Sequence, residues 1–352
     1  MEGKRMKIGI VTIISHNLGN RLQNYALQEI LKTYGTVETF PLERTSNMKC
    51  TLKILVKKIL NVCGIKKNYS WDMMDRKVKW SKYICGKNDL QIEKKYDYLV
   101  AGSDQIWNPL FDFNSDREFL VSVNKNKRIA YAASIGIDQL PENQKRRFRD
   151  NLLNFKAISV RENAAADIVE EITGKRPEVV IDPTMLLKQE EWEKISKESD
   201  MDIQEKYIVK YFLGVESKEY SEYIAKLANK LEAKIININS ENKEISTECG
   251  PSDFLKLISK ASFVCTDSFH GSVFSILFKR QFLIFDRPKQ KGYGKMSSRI
   301  DTLVGKFNLE KRVIKNIEQL NGTIERIDYD KLEPLIETER NKAHLYLDRL
   351  FL

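Results

Sequence analysis

Ser262-Phe263-Val264-Cys265-Thr266-Asp267-Ser268-Phe269-His270-Gly271-Ser272-Val273-Phe274-Ser275 reads as a buried strand, a tight turn and the opening of a helix. The apolar run beyond it ends in a second strand, Gln281–Phe285. Strand, turn, helix and strand in this order form the repeating unit of a parallel sheet. A small-residue turn of this kind exposes the first helical N–H groups, which together with the helix dipole attract anions. His270 adds a titratable proton donor, and Ser268 and Ser272 add hydroxyls. The stretch therefore predicts a phosphate or carboxylate pocket with chemistry attached.

Outward from this point the same alternation fills the chain. Lys7–Ile14 reads as a strand, Asn20–Tyr34 as a helix stopped by Gly35, and Thr36–Phe40 as a strand. Tyr96–Ala101, Lys127–Ser134, Ala157–Val160 and Glu178–Ile181 continue the strands, with a helix over Asn163–Ile172. After a charged stretch the pattern restarts: strand Tyr207–Leu213, helix Lys218–Leu231, strand Lys234–Ile238, helix Asp253–Ile258, then the histidine turn. This alternation implies an α/β protein with parallel sheets covered on both faces. The expected organisation is two Rossmann-like domains facing across a cleft, over residues 1–187 and 206–328. Residues 188–205 would connect them, and a charged helix within 329–352 would close the fold. Sites in such sheets lie beyond the carboxyl ends of the strands.

Composition narrows the function class. A chain of 352 residues exceeds one compact core. No apolar run approaches the roughly 18 residues of a membrane span. Five scattered cysteines (Cys50, Cys63, Cys85, Cys249, Cys265) without a C-x-x-C pair fit reduced thiols in the cytoplasm. Three separated histidines, His16, His270 and His344, argue against a histidine-rich metal site, and nothing calls for a metal or organic cofactor. The net charge of +10 would suit nucleic acid, an anionic membrane or an acidic substrate. No zinc knuckle, RRM pair or helix-turn-helix supports nucleic acid. A basic insertion at 49–95 interrupts the alternation. There Leu52, Leu55, Val56, Ile59 and Leu60 fall at helical spacing among lysines. Such a stripe packs onto its domain or lies on a membrane surface, here the inner face.

Four further islands carry polar groups at strand ends. Asn17-Leu18-Gly19-Asn20-Arg21 opens the first helix, with Gly19 allowing close backbone approach and Arg21 at an anion-attracting terminus. Gly102-Ser103-Asp104-Gln105-Ile106-Trp107-Asn108 offers a carboxylate, an amide and an indole. That kit either grips sugar hydroxyls and a sugar face or caps a turn around a core tryptophan. Arg161 ends the strand Ala157–Val160, where it binds a carboxylate or phosphate or pairs with a neighbouring acid. Asp182-Pro183-Thr184 reads as a strand-terminating turn. Beyond the histidine turn, Lys291, Lys295 and Arg299 supply further cations.

These islands, in this order, resemble the polysaccharide pyruvyl transferase family. Three blocks carry the resemblance: Asn17–Gln28, Gly102–Pro109 and Asp267–Ser275, with Ser159–Glu162 and Ile181–Thr184 between them. The resemblance implies a glycosyltransferase-B-like fold and a cytoplasmic enzyme using phosphoenolpyruvate to place a pyruvate ketal on a cell-surface sugar. The acceptor would be a sugar or a lipid-linked oligosaccharide. It implies Arg161 and the block around His270, with Ser268, Gly271 and Ser272, on the donor, to which Arg299 and Arg21 add cations. His270 is the catalytic acid–base candidate by its chemistry, and Asp104 or Asp267 acts as base or orients it. Asn17, Asn20, Gln105 and Trp107 would meet the acceptor. One position departs: better-understood relatives carry arginine two residues before the histidine, where this chain has Ser268, so either Arg299, Lys291 or Arg21 replaces the cation or the donor differs. The rival readings are a glycosyltransferase using a nucleotide-activated sugar and a catalytically inactive carbohydrate-binding protein.

Overall fold

A computed structural model describes residues 5–41, 69–111, 115–238, 246–247, 249–287, 297–320 and 325–352. Six strands form the first sheet: β1 (Lys7–Val11), β2 (Thr36–Thr39), β3 (Tyr98–Ala101), β4 (Arg128–Ala133), β5 (Ala157–Val160) and β6 (Glu178–Val179). Every neighbouring pair is parallel, in the order β2-β1-β3-β4-β5-β6. The second sheet holds β7 (Tyr207–Tyr211), β8 (Lys234–Ile238), β9 (Ser246–Thr247), β10 (Phe263–Thr266), β11 (Phe282–Phe285) and β12 (Val313–Ile314). It too is parallel throughout, in the order β12-β11-β10-β7-β8-β9. Strands such as β4, β10 and β11 are buried along their whole length, because helices cover both faces of a parallel sheet.

Each sheet reverses its direction of strand addition once, between β1 and β3 and between β7 and β10. At such a switch point adjacent connections leave to opposite faces and open a crevice for ligands. The Asn17 and Asp104 loops leave one switch point, and the histidine turn leaves the other.

The elements expected from sequence are present, with ends moved by a few residues. β1 stops at Val11 rather than Ile14, which frees residues 12–17 as a loop at the switch point. β6 is cut to two residues because the Asp182-Pro183 turn begins directly beyond it. Helices at Tyr69–Lys77, Asp89–Lys95, Glu142–Leu152 and Gln189–Ser196, and strands β9 and β12, were not expected from the pattern. The basic stripe Leu52–Leu60 lies outside the described residues, as do Lys291 and Lys295.

The charged stretch between the sheets is more than a linker. Its helix Gln189–Ser196 drives Trp192, fully buried, edge-on against Phe274 (5.0 Å between ring centres) and against Tyr25 (5.9 Å). Leu18 and Leu22 from one side and Phe254 and Phe274 from the other join Trp192 in one apolar cluster. The last helix, Tyr329–Phe351, ties the two sheets a second time. Tyr329 donates to the Ser275 carbonyl (3.3 Å) near its start, whereas Arg340 donates to the Met185 carbonyl (2.6 Å). Near its end Asp348 accepts from Tyr34 (2.6 Å). Among the described residues no helix is long and apolar enough to cross a membrane.

Candidate active site

The two switch points face each other across a cleft of about 760 Å³. Asn17, Asn20, Asp104 and Gln105 line the wall of the first sheet. Asp267, Ser268, His270, Arg287 and Arg299 line the wall of the second. Asp104 sits just past β3 in the left-handed region (φ 68°), a conformation that aspartate tolerates better than most residues. Its carbonyl accepts from the Ile106 amide (2.7 Å) and the Ser134 amide (2.9 Å), so the turn is fixed. Its carboxylate accepts from the Gln105 amide (2.9 Å) and from the Asn20 side chain.

Behind this wall stands a buried ion cluster. Arg161, with 1% of its side chain exposed, donates through Nη1 to Asp182 (2.6 Å) and through Nη2 to Asp104 (3.1 Å). Its guanidinium covers the Phe269 ring at 4.3 Å, a cation–π contact from the opposite wall. Asp182 also accepts from Ser103 (2.9 Å) and from the amide (3.0 Å) and hydroxyl (2.7 Å) of Thr184. Burial alone would raise the Asp182 carboxyl, but His270, Arg161 and Thr184 carry it far below the usual carboxylate range. Asp104 is likewise held down, against the effect of burial, by Arg161, His270 and Arg299. Both stay ionised at neutral pH.

The second wall is less fully paired. Arg299 approaches Asp104 only to 4.0 Å, and its buried Nε has no hydrogen-bond partner among the described residues. Burial and the nearby charge of Arg161 push it down to about 10. His270 sits on the first turn of the helix Phe269–Leu277, packed across onto the facing wall. Its Nε2 lies 3.7 Å from Asp182 Oδ2, beyond normal hydrogen-bond reach, and has no other partner among the described residues. Its Nδ1 edge rests on Gly19, where an added Cβ would stand 2.0 Å away. Asp267 accepts from the Leu213 and Gly214 amides (both 2.7 Å) and grips Arg287 at Nε (2.7 Å) and Nη2 (3.2 Å). The cleft thus presents one cation short of partners, Arg299, and a second held by Asp267, Arg287, beside an imidazole, a set suited to binding an anion and moving a proton.

The profile of the family described as "Polysaccharide pyruvyl transferase" matches residues 17–288. The chain belongs to that family. It is a transferase of polysaccharide biosynthesis. None of the curated proteins compared matches it. Among solved structures, UDP-N-acetylglucosamine 2-epimerase from Rickettsia bellii aligns at TM-score 0.54 and 10% identity, covering 98% of this chain and 95% of its own. The UDP-GlcNAc 2-epimerase of Methanocaldococcus jannaschii aligns at 0.51 and 15% identity, covering 98% and 99%. The glycotransferase of kitacinnamycin aligns at 0.51 and 10% identity, covering 99% and 100%. At such identities the likeness speaks for the fold alone: two Rossmann-like units in the glycosyltransferase-B arrangement.

In this chain the expected site residues divide. His270, Asp104, Arg299, Ser268, Asn17, Asn20 and Gln105 meet at the cleft. Ser268 does so while capping its helix, its hydroxyl accepting from the Gly271 amide (3.3 Å). Five expectations need correction, Gly271 the last of them. Trp107 is fully buried, stacked on Phe119 (5.8 Å), with its indole N–H on the Glu118 carbonyl (3.1 Å), so it is core rather than a sugar platform. Arg21 bonds Asp75 (2.7 Å) and the Ser15 carbonyl (3.2 Å), away from the cleft. The Ser272 hydroxyl is turned into its own helix, on the Ser268 carbonyl (3.0 Å). Arg161 supports the wall from behind instead of facing a donor.

Gly271 serves packing, since a Cβ there would stand 2.4 Å from Thr266 Oγ1. Gly19 likewise makes room for His270 rather than for a ligand's backbone contact. Sequence reading passed over Arg287 and the reach of Asp182. Arg287 carried the same signal as Arg161, a cation just past a strand's carboxyl end. Asp182 looked like a turn residue because half of its role is one.

Proposed function

We propose that the chain transfers the enolpyruvyl group of phosphoenolpyruvate to a sugar of a cell-surface polysaccharide or its precursor, forming a pyruvate ketal. The observation that carries this reading is Arg299, whose buried Nε has no partner among the described residues and which stands in one cleft with His270. A donor carboxylate or phosphate supplies the missing partner, and Arg287, fixed by Asp267, supplies a second cation. His270 gives a proton to the methylene carbon of the donor, leaving an oxocarbenium-like centre at the adjacent carbon. One sugar hydroxyl bonds to that carbon, phosphate departs with its electron pair, and a second hydroxyl closes the ketal. The two hydroxyls release two protons: one replaces the proton given to the methyl group, and the other leaves on phosphate. Asp104, ionised and facing the cleft, accepts a hydroxyl proton. Asn17, Asn20 and Gln105 on the same wall offer amide groups to the acceptor. The reaction belongs in the cytoplasm, where phosphoenolpyruvate and glycan precursors meet.

Thermal melting with millimolar phosphoenolpyruvate, against UDP- and CMP-type nucleotides, tests the reading. A ligand at about a hundred times its Kd stabilises by roughly 2.7 kcal/mol. Phosphoenolpyruvate should raise the melting temperature of the wild type and much less that of Arg299→Ala. A shift with nucleotides alone points to a nucleotide-sugar donor on the same fold.

A further inference from the structure

Asp182 is placed where three strand ends of the first sheet meet one residue of the second. Its Oδ1 is anchored by Thr184, and its Oδ2 takes Ser103 from the end of β3 and Arg161 from the end of β5. The same Oδ2 faces His270 Nε2 at 3.7 Å, so a sub-ångström movement makes a hydrogen bond. Gly19 packs against the ring beside Nδ1 and pins it, while Nε2 is buried and the residue lines the cleft. Asn17 and Asn20, on either side of Gly19, line the cleft.

We infer that Asp182 is the positioning residue of His270: it holds the proton on Nε2 and leaves Nδ1 as the nitrogen that exchanges a proton with a substrate in the cleft. An acceptor-only carboxylate on one ring nitrogen fixes the tautomer, and the opposite nitrogen then does the chemistry. The arrangement follows the logic of the serine-protease carboxylate–imidazole pair with the two nitrogens exchanged. Because Asp182 comes from the first sheet and His270 from the second, the pair forms only while the two walls stay together. Arg161 shares Oδ2, which keeps the carboxylate ionised and in place. The inference rests on the reading of His270 as the proton carrier, but its test needs no substrate.

Three histidines in the chain make the imidazole nitrogen NMR spectrum assignable by single substitutions. Above its titration, His270 of the wild type should show the Nε2–H tautomer alone. In Asp182→Asn, which keeps the shape but not the charge, the tautomers should mix. With an active assay in hand, kcat of that variant should fall by roughly two to four orders of magnitude with KM little changed. Should Asp182→Asn not fold, Thr184→Val removes one hydroxyl from Oδ1 and should show a partial mixture. A wild-type His270 carrying its proton on Nδ1, or an unchanged tautomer in Asp182→Asn, overturns the assignment. A correct tautomer without phosphoenolpyruvate binding would instead count against the donor.

Discussion

On the wall of the first sheet, Arg161 gives both terminal nitrogens to Asp182 and Asp104 and its guanidinium face to Phe269. On the wall of the second, Arg299 reaches one carboxylate, at 4.0 Å, and His270 reaches one, at 3.7 Å. Arg161 and His270 are buried and the Arg299 side chain is only 11% exposed, so the larger difference is one of pairing. A buried cation with full hydrogen bonds rigidifies its surroundings, whereas one left short is held at a cost that an incoming anion relieves. The first wall therefore fixes geometry and the second receives the ligand. The two come into contact at Asp104 and Asp182, where carboxylates of the first wall face the unsaturated groups of the second.

The sharpest way to break this comparison is to remove a group from the receiving wall. His270→Ala should lower turnover by roughly two to four orders of magnitude while the fold melts close to its normal temperature. Near-normal turnover would take His270 out of the chemistry. Arg161→Ala should act on the opposite property. Removing one partner of a buried ion cluster costs about 3–5 kcal/mol of stability, readable as a loss in denaturant unfolding.

The pH dependence of that loss follows from the signs. Asp104 and Asp182 have depressed folded-state values, so their contribution is present above the unfolded carboxylate value of about 3.9 and is lost as pH falls through the folded values. With Arg161 gone both carboxyls rise from their depressed values, while His270, Thr184 and Arg299 still favour the ionised forms. The deficit of the variant should shrink as pH is lowered through and below about 4, as unfolding curves at each pH will report. A constant deficit would mean that Arg161 acts by packing alone.

Arg299→Ala should be milder and opposite in kind. Stability should hold or rise, because a partly unpaired buried cation is removed, while donor affinity falls by about 1.5–3 kcal/mol, on the order of 10- to 100-fold. Calorimetric titration of phosphoenolpyruvate into both proteins measures it. Trp107→Phe should be smallest: loss of one hydrogen bond to the Glu118 carbonyl, about 0.5–1.5 kcal/mol, with kcat/KM unchanged. A large activity loss there would return the indole to the acceptor site.

How far sequence reached follows from which interactions are local. The strands and the histidine turn were legible because buried parallel strands are continuous apolar runs, and because Ser268 caps its helix through neighbours in sequence. The helix Gln189–Ser196 was hidden by its charged outer face, although Trp192 packs inward. Asp104, His270 and Arg299 could be chosen from strand-end chemistry. The pairing of Arg161 with Asp182 and Asp104 could not, since it joins residues 21 and 57 positions apart. Trp107 and Arg21 misled for the same reason: each stands in a loop of the right kind, and only tertiary contacts decide which way its side chain turns.

The central claim, pyruvyl transfer from phosphoenolpyruvate in this cleft, is tested most directly by following carbon-13-labelled phosphoenolpyruvate with lipid-linked and polymeric envelope glycans as acceptors. The account predicts a labelled quaternary ketal carbon on the glycan, one phosphate released per ketal formed, and loss of both with His270→Ala. Glycan modified only when a nucleotide sugar is supplied, with phosphoenolpyruvate left intact, would contradict it.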